Sequence, residues 1–246
     1  DYAKFGQVYK RAKPNHMTVL AINKVGLKNM YKLVSLASTK YFYRLPRTPL
    51  SELKRLHEGL LYGSGCLQGD VFISMMQKGY DATREKARIY DFLEVQPPAA
   101  YQHLLDDKLI KDKKELQEII TNIYKLGKEL GIPVVATSDA HYIDKKDAIY
   151  RKILLSAQKA NRGKNYELPD LHFYTTQEML DAFSFLNPKI AEEIVIKNTN
   201  IIADKIENVE PIKSGLYPPH IENADKEMEQ LTYDKAHELY GNPLPK

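Results

Sequence analysis

A helix that leads directly into a short β-branched strand constrains the fold of this sequence most. Asp112 is a candidate N-cap with Glu115 three residues later, and Gly131 and Pro133 follow the helix as stop signals. Between them, apolar residues repeat at helical spacing: Leu116, Ile119, Ile120, Ile123, Leu126 and Leu130. The strand IPVVA comes next, and a helix that feeds a strand in this way is typical of α/β folds.

The same alternation of strands and helices recurs along the first two thirds of the chain. Strands are predicted at residues 17–22, 59–63 and 91–96, and helices at residues 25–37, 69–78 and 82–89. This pattern predicts an α/β class with a largely parallel sheet or barrel. After about residue 156 the strands fade, helices are predicted at residues 176–185 and 188–206, and a charged helix at residues 224–240 follows a proline-rich stretch. We therefore predict three parts: a barrel portion over residues 1–160, a helical end over 161–210, and a linker with a helix over 211–246.

Composition sets only broad limits on function. The chain has 246 residues, 43% of them hydrophobic, which is enough for a core. Basic residues exceed acidic ones by only 36 to 32, so a nucleic-acid site would have to be local. A single cysteine excludes an internal disulfide, and with no apolar run of membrane-spanning length or signal peptide, we expect a cytoplasmic location and no membrane partner. Because the sequence begins with neither Met nor a leader, we expect it to be part of a longer protein.

Metal-binding side chains follow the predicted strand in IPVVATSDAHY. Asp139 and His141 stand two residues apart, so on an extended backbone they would point to the same side. Metal sites of βα barrels lie at such strand ends. Cys66 follows its own short apolar strand in a similar position, and a lone Cys ligand indicates zinc or a similar ion. His16 precedes its strand and would lie at the wrong end of a parallel sheet, unless that strand runs antiparallel.

Each of these features has a structural alternative. Asp139 also suits a turn or an N-cap, and Cys66 also suits an inert buried position. The segment KYFYRLPR, residues 40–47, could stack on unpaired bases, but it is also typical of a core edge with long basic side chains. A second set of cations could hold phosphates or form a solvated helix face: Arg151, Lys152, Lys159, Arg162 and Lys164. The remaining histidines are interpreted as structural: His57, His103, His172, His220 and His237.

Six stretches together resemble one known family over nearly the whole chain and in the family order: NHMTVLAINKVGLKNMYKLVSLA, EGLLYGSGCLQGDVF, YDFLEVQPP, PVVATSDAHY, DKKDAIYRKILL and LHFYTTQEMLDAF. They resemble the PHP (polymerase and histidinol phosphatase) domain of bacterial replicative DNA polymerase III alpha subunits. The segments RLPR, EVQPP and IYRKIL favour the PolC type. In that type a proofreading 3′-5′ exonuclease interrupts the domain, and the chain resembles the part after this insertion.

The resemblance implies a partial distorted βα barrel with a divalent metal site. Carried over by motif, the family ligands fall on His16, Cys66, Asp139 and His141, and they imply zinc or manganese. The earlier family ligands, including a His-x-His pair, have no counterpart in this sequence. The passage from residue 211 to 246 resembles the connection toward the polymerase palm.

The function implied by the resemblance belongs to a longer parent protein. That parent is a DNA-directed DNA polymerase, a nucleotidyltransferase whose palm would use magnesium, with DNA, replisome subunits and the remaining polymerase domains as partners. We expect no catalytic residue in this chain and a structural or residual metal-site role. Two alternatives remain open: a metal-dependent phosphoesterase or pyrophosphatase module, and a non-catalytic interaction scaffold. Unpaired strand edges also predict self-association of the isolated chain.

Overall fold

The structure, a computed structural model, describes residues 13–157, 168–212 and 214–245 and has a mixed α/β fold. Four short strands lie within the described residues: β1 (Thr18–Ala21), β2 (Leu60–Gly63), β3 (Leu93–Val95) and β4 (Val134–Ala136). The eleven α-helices of the described residues are α1 (Lys24–Ser38), α2 (Leu50–Arg55), α3 (Asp70–Lys78), α4 (Tyr80–Ala87), α5 (Gln102–Asp106), α6 (Lys113–Leu130), α7 (Ala148–Ala157), α8 (Thr176–Ala182), α9 (Pro188–Glu192), α10 (Asn198–Ala203) and α11 (Ala224–Tyr240).

The strands pair in two different senses. β1 is antiparallel to β2, whereas β3 is parallel to β4 with Leu93 opposite Val134. A parallel bridge between Gly63 and Phe92 connects the two pairs. The expectation of a largely parallel sheet is therefore wrong for β1, because pairing direction depends on contacts distant in sequence. No closed barrel is formed by the strands of the described residues.

In helix α6, residues at each end of the segment determine where the helix begins and ends. The Asp112 carboxylate accepts a hydrogen bond from the Glu115 backbone N–H at 2.9 Å, and Gly131 ends the helix with a φ of 69°. The Glu115 carboxylate accepts from the backbone N–H of Lys111 at 2.6 Å, one residue before the cap, so a strict capping box is not formed. The predicted apolar stripe is buried beside β3 and β4 at Leu116, Ile119, Ile120, Ile123 and Leu126.

The core lies between this stripe, the strands and the helices on either side. Its most deeply buried side chains include Tyr101, Phe183, Leu93, Ile120, Leu126 and Ile194. Residues from β1, β2, α3, α8 and α9 belong to the same core cluster or pack against it. The strand ends are thereby fixed on a continuous apolar base, which positions the loops that follow them.

The helix predicted over residues 188–206 is observed as helical backbone from residue 188 to residue 203, with a change of hydrogen-bonding pattern inside it. A π-helical turn over Glu193–Lys197 separates α9 from α10. At its end, the Asn198 side-chain amide donates a hydrogen bond to the Val134 carbonyl oxygen of β4 at 2.8 Å. This buried contact ties the helical segment to the edge of β4.

The chain divides into two compact units, Asp1–Val209 and Glu210–Lys246. All four strands belong to the first unit. The second contains α11, a charged helix with no buried residue. None of the described helices combines the length and the apolar character needed to cross a membrane.

Candidate metal centre

A cavity of about 430 Å³ opens where β2, β3 and β4 end and β1 begins. Its lining includes three of the residues selected from the sequence, His16, Cys66 and Asp139. The other lining residues are Met17, Thr18, Gly65, Glu94, Gln96 and Thr137. The cavity therefore brings together side chains that are separated by up to 123 positions in the sequence.

His16 reaches this cavity because β1 is antiparallel to β2. The beginning of β1 lies beside the end of β2, and the His16 backbone N–H donates to the Gln68 carbonyl oxygen at 3.0 Å. The His16 Nδ1 atom is 3.6 Å from Cys66 Sγ. A tetrahedral ion bonded to sulfur at about 2.3 Å and to nitrogen at about 2.0 Å holds these donors about 3.5 Å apart. The spacing of this pair therefore fits a shared ion.

Asp139 and His141 form a second pair, but through a different backbone geometry from the one expected. Asp139 has a φ of 50°, so the segment is not extended and the argument from alternating side chains does not apply. The Asp139 Oδ1 atom is nevertheless 3.8 Å from His141 Nε2. The His141 backbone N–H donates to the Leu171 carbonyl oxygen at 2.8 Å, and His141 is not among the residues that line the cavity.

The candidate donors thus form two pairs, His16 with Cys66 and Asp139 with His141. Asp139 lines the same cavity as the first pair. Within residues 13–157, 168–212 and 214–245, no group of three or more His, Cys, Asp and Glu side chains forms a ready metal cluster. The donor chemistry does fit a divalent ion, because imidazole nitrogen, thiolate sulfur and carboxylate oxygen together suit zinc and similar borderline metals.

Burial, more than any neighbouring charge, disfavours ionisation of the Cys66 thiol. Burial raises the pKa of the Cys66 thiol, and the negative charges of Asp139 and Glu94 raise it further against a lowering contribution from the Gln68 backbone. The thiol therefore holds its proton at neutral pH, and a bound cation would favour its ionised form. Burial also raises the pKa of Tyr101.

Sequence reasoning did not select Glu94, Gln96 or Thr137. Glu94 occupies the middle of β3 and is 8% exposed, although it carries a carboxylate. A charged residue inside an otherwise apolar strand, as in FLEV, was the available signal, because such a residue is buried only where partners satisfy it. The partners themselves come from other loops and could not be read from this segment.

In the aromatic and basic segment over residues 40–47, the cationic side chains lie over aromatic rings of the same segment. The Lys40 ammonium lies 5.0 Å from the centre of the Tyr41 ring, and Arg44 and Arg47 lie 5.5 and 5.6 Å from the Tyr43 ring. Tyr41 is buried, and it lines a second cavity of about 530 Å³ that also contacts His16. This arrangement favours the core-edge interpretation over base stacking.

The structure describes two of the five residues in the second cationic set. Arg151 is half-buried and Lys152 exposed on α7, while Lys159, Arg162 and Lys164 lie outside the described residues. The expectation for these residues therefore stays a prediction.

His172, interpreted from the sequence as structural, is deeply buried. It is 3% exposed and stacks on the Tyr174 ring at 4.0 Å between centroids. Its Nδ1 atom lies 2.7 Å from Asp170 Oδ1, and its Nε2 atom 3.4 Å from Glu178 Oε1. Because the adjoining backbone pairs with Tyr142, His172 anchors the segment beside His141.

Comparisons with known proteins show which domain and which proteins this chain is similar to. Residues 3–95 match the family model described as PHP domain. The whole chain is 51% identical over 247 aligned residues to a protein of Pediococcus pentosaceus named DNA polymerase III PolC-type. Proteins of the same name from Bacillus subtilis and Listeria monocytogenes are 52% identical over 96% of the chain and 49% identical over all of it.

One match identifies a domain in the first part of the chain, and the others relate the whole chain to a particular type of protein. The first part of the chain is PHP-domain sequence. The chain as a whole is homologous over its full length to proteins named DNA polymerase III PolC-type. It spans 17% of the length of each of these relatives. PHP domains and DNA polymerases are in general metal-dependent.

Proposed function

We propose that this chain is the part of a PolC-type polymerase's PHP domain that follows the exonuclease insertion, and that it stabilises the polymerase around a divalent metal site. The observation that carries the proposal is the cavity shared by His16, Cys66 and Asp139, because the fold brings these distant residues to one place. His141 would join them through Asp139. A bound divalent ion would hold the loops that follow β2 and β4 together.

The proposal extends to the fold and the parent protein. A single bridge between Gly63 of β2 and Phe92, the residue before β3, links the two strand pairs, which supports a partial distorted βα barrel. In the parent, primer extension would take place in the palm with magnesium, and proofreading in the exonuclease. DNA, replisome subunits and the remaining polymerase domains are the proposed partners, and the cytoplasm is the proposed location.

Metal analysis of the dialysed chain tests this proposal. We expect one zinc or manganese ion per chain, and its loss in Cys66→Ser and His141→Ala. Saturation at about 100 times the dissociation constant should raise the free energy of unfolding by about 2.7 kcal/mol. His220→Ala is the matched control, because His220 is exposed and far in sequence from the cavity. Retention of the ion by both ligand variants would contradict the site.

A metal-dependent phosphoesterase or pyrophosphatase is the second candidate function. Two observations favour it: the donors border a cavity, and a second cavity that contacts His16 carries the cationic Lys13 and Arg47. His16, Cys66 and Asp139 would hold a metal ion there, and such an ion would supply a bound hydroxide and polarise phosphate oxygens. This alternative predicts metal-stimulated phosphate release that His141→Ala abolishes. Release without added metal, or none from pure protein, would remove it.

A further inference from the structure

A buried polar network lies beneath the candidate metal cavity and connects two of its loops. Glu94, on β3, lies between the residues that follow β2 and those that follow β4. One of these loops carries Cys66, and the other carries Asp139. The network is therefore placed where it can fix the distance between the candidate donors.

Glu94 contacts both loops directly. Its Oε1 atom accepts a hydrogen bond from the Gly65 backbone N–H at 2.9 Å, next to Cys66. Its Oε2 atom accepts from the Thr137 hydroxyl at 3.2 Å, two residues before Asp139. The Glu94 backbone N–H donates to the Ser64 hydroxyl at 2.8 Å. Both carboxylate oxygens are thus engaged by the protein itself.

Gln96 completes the network with consistent donors and acceptors. Its side-chain amide donates to the Thr137 hydroxyl oxygen at 3.0 Å, so Thr137 accepts from Gln96 and donates to Glu94. The Tyr101 hydroxyl donates to Gln96 Oε1 at 2.5 Å and accepts from the Gln96 backbone N–H at 3.2 Å. Gln96 and Tyr101 are both buried, so this arrangement holds the Thr137 hydroxyl in one orientation.

The neighbouring backbone leaves room for the carboxylate only because residue 63 is glycine. A Cβ atom at Gly63 would lie 2.5 Å from Glu94 Oε1 and 2.4 Å from the Phe92 ring. Contacts that short do not occur between unbonded atoms, so any larger residue would displace Glu94. The buried carboxylate is therefore an integral part of the packing at the end of β2.

We propose that Glu94 is the positioning residue of this centre: it is not a metal ligand, and it sets the spacing between the Cys66 and Asp139 loops by bridging Gly65 and Thr137. The inference rests on the proposed metal site. Partners outside the ligand set commonly change metal affinity by about 10- to 100-fold when they are removed. The role requires two hydrogen bonds and no charge, and this distinguishes it from ligation.

Cobalt(II) binding to the full chain tests the proposal, because a sulfur-to-cobalt charge-transfer band reports the Cys66 ligand independently of activity. Glu94→Ala removes both bridges and should raise the dissociation constant by about 10- to 100-fold and weaken the band. In Glu94→Gln, the amide oxygen can still accept from Gly65 and the amide nitrogen can donate to the Thr137 oxygen. We therefore expect this variant to restore both affinity and band close to the wild type.

Circular dichroism would reveal whether Glu94→Ala misfolds. A second pair of variants tests the proposal independently of that outcome. Thr137→Val removes one bridge in nearly the same volume and should weaken cobalt binding, whereas Thr137→Ser should restore it. Thr121→Val is the matched control, because the Thr121 hydroxyl bonds only within α6, to the Gln117 carbonyl oxygen. Its affinity should be unchanged.

The outcomes separate this inference from the function on which it rests. Equal losses in Glu94→Gln and Glu94→Ala would show that the charge is needed and would overturn the positioning role. Wild-type binding in Glu94→Ala and Thr137→Val would overturn it as well. Absence of the charge-transfer band in the wild type would overturn the metal site itself, and this inference with it.

Discussion

Glu52 shows how a single side chain acquires its stabilising contact. Its Oε1 atom accepts a hydrogen bond from the Tyr41 hydroxyl at 2.7 Å, and its Oε2 atom accepts from Arg55 Nε at 2.7 Å. The Tyr41 hydrogen bond is the largest of the contributions that lower the pKa of Glu52 below its ordinary 4.5, and Arg55 follows. The ionised carboxylate is thus favoured in the folded state.

We predict that Tyr41→Phe lowers the free energy of unfolding by about 1 kcal/mol at pH 7, because a hydrogen bond to a charged group is lost. A lowered folded pKa contributes stability that is present above pH 4.5 and is lost as the pH falls through the folded value. The difference between wild type and variant should therefore shrink below pH 4.5. Denaturant unfolding at several pH values measures it.

Tyr150→Phe is the control for this change, since Tyr150 is 64% exposed on α7. Its free energy of unfolding should stay near the wild-type value at every pH. A difference for Tyr41→Phe that persists unchanged at pH 3 would show that the charge on Glu52 is not involved.

At the scale of elements, local signals predicted most of the longer helices, whereas α2, α5 and α7 were not predicted. The predicted stripe and stop signals of α6 agree with the observed Lys113–Leu130, and the charged helix over residues 224–240 is α11 as observed. Such features depend on residues within a few positions of one another, and these can be read directly. The π turn after α9 escaped prediction, because Asn198 bonds to a strand 64 residues away.

The same reasoning explains which parts of the site could be predicted. Cys66 and Asp139 were found because each directly follows a strand, and the antiparallel condition stated for His16 is met by β1. Glu94 was missed because its partners are 29 and 43 residues away. The burial of His172 was not predicted, because it depends on packing that no local pattern specifies.

The N-cap of α6 gives a prediction for one element. Asp112→Ala should lower the free energy of unfolding by about 1 kcal/mol, because the Glu115 N–H loses its acceptor at the positive end of the helix. Asp112→Ser should recover most of this loss, since serine also accepts at this position. Thermal and denaturant unfolding would measure both.

Glu118→Ala provides the matched control, because Glu118 is an exposed acid on the same helix. It should change stability by less than about 0.5 kcal/mol. Equal effects of Asp112→Ala and Glu118→Ala would assign the loss to charge alone and would exclude the cap.

At the scale of the whole molecule, α7 has an apolar face that the other described residues leave exposed. None of its residues is buried, and four of its large side chains are more than half exposed: Ile149, Tyr150, Ile153 and Leu154. Grouped apolar side chains of this kind mark contact surfaces or cause association, unlike apolar residues scattered singly.

We therefore predict that the isolated chain self-associates through α7. In sedimentation velocity, the weight-average sedimentation coefficient should rise with protein concentration, because the face is covered by a second copy. Replacement of Ile153 and Leu154 together by lysine should abolish this rise, since two charges would have to be buried at the contact. The control replaces Ile212 and Leu216 by lysine, which adds the same charge at two side chains that are 88% and 96% exposed outside any helix. Concentration-independent monomers in the wild type, or equal effects of the two double variants, would contradict an association through this helix.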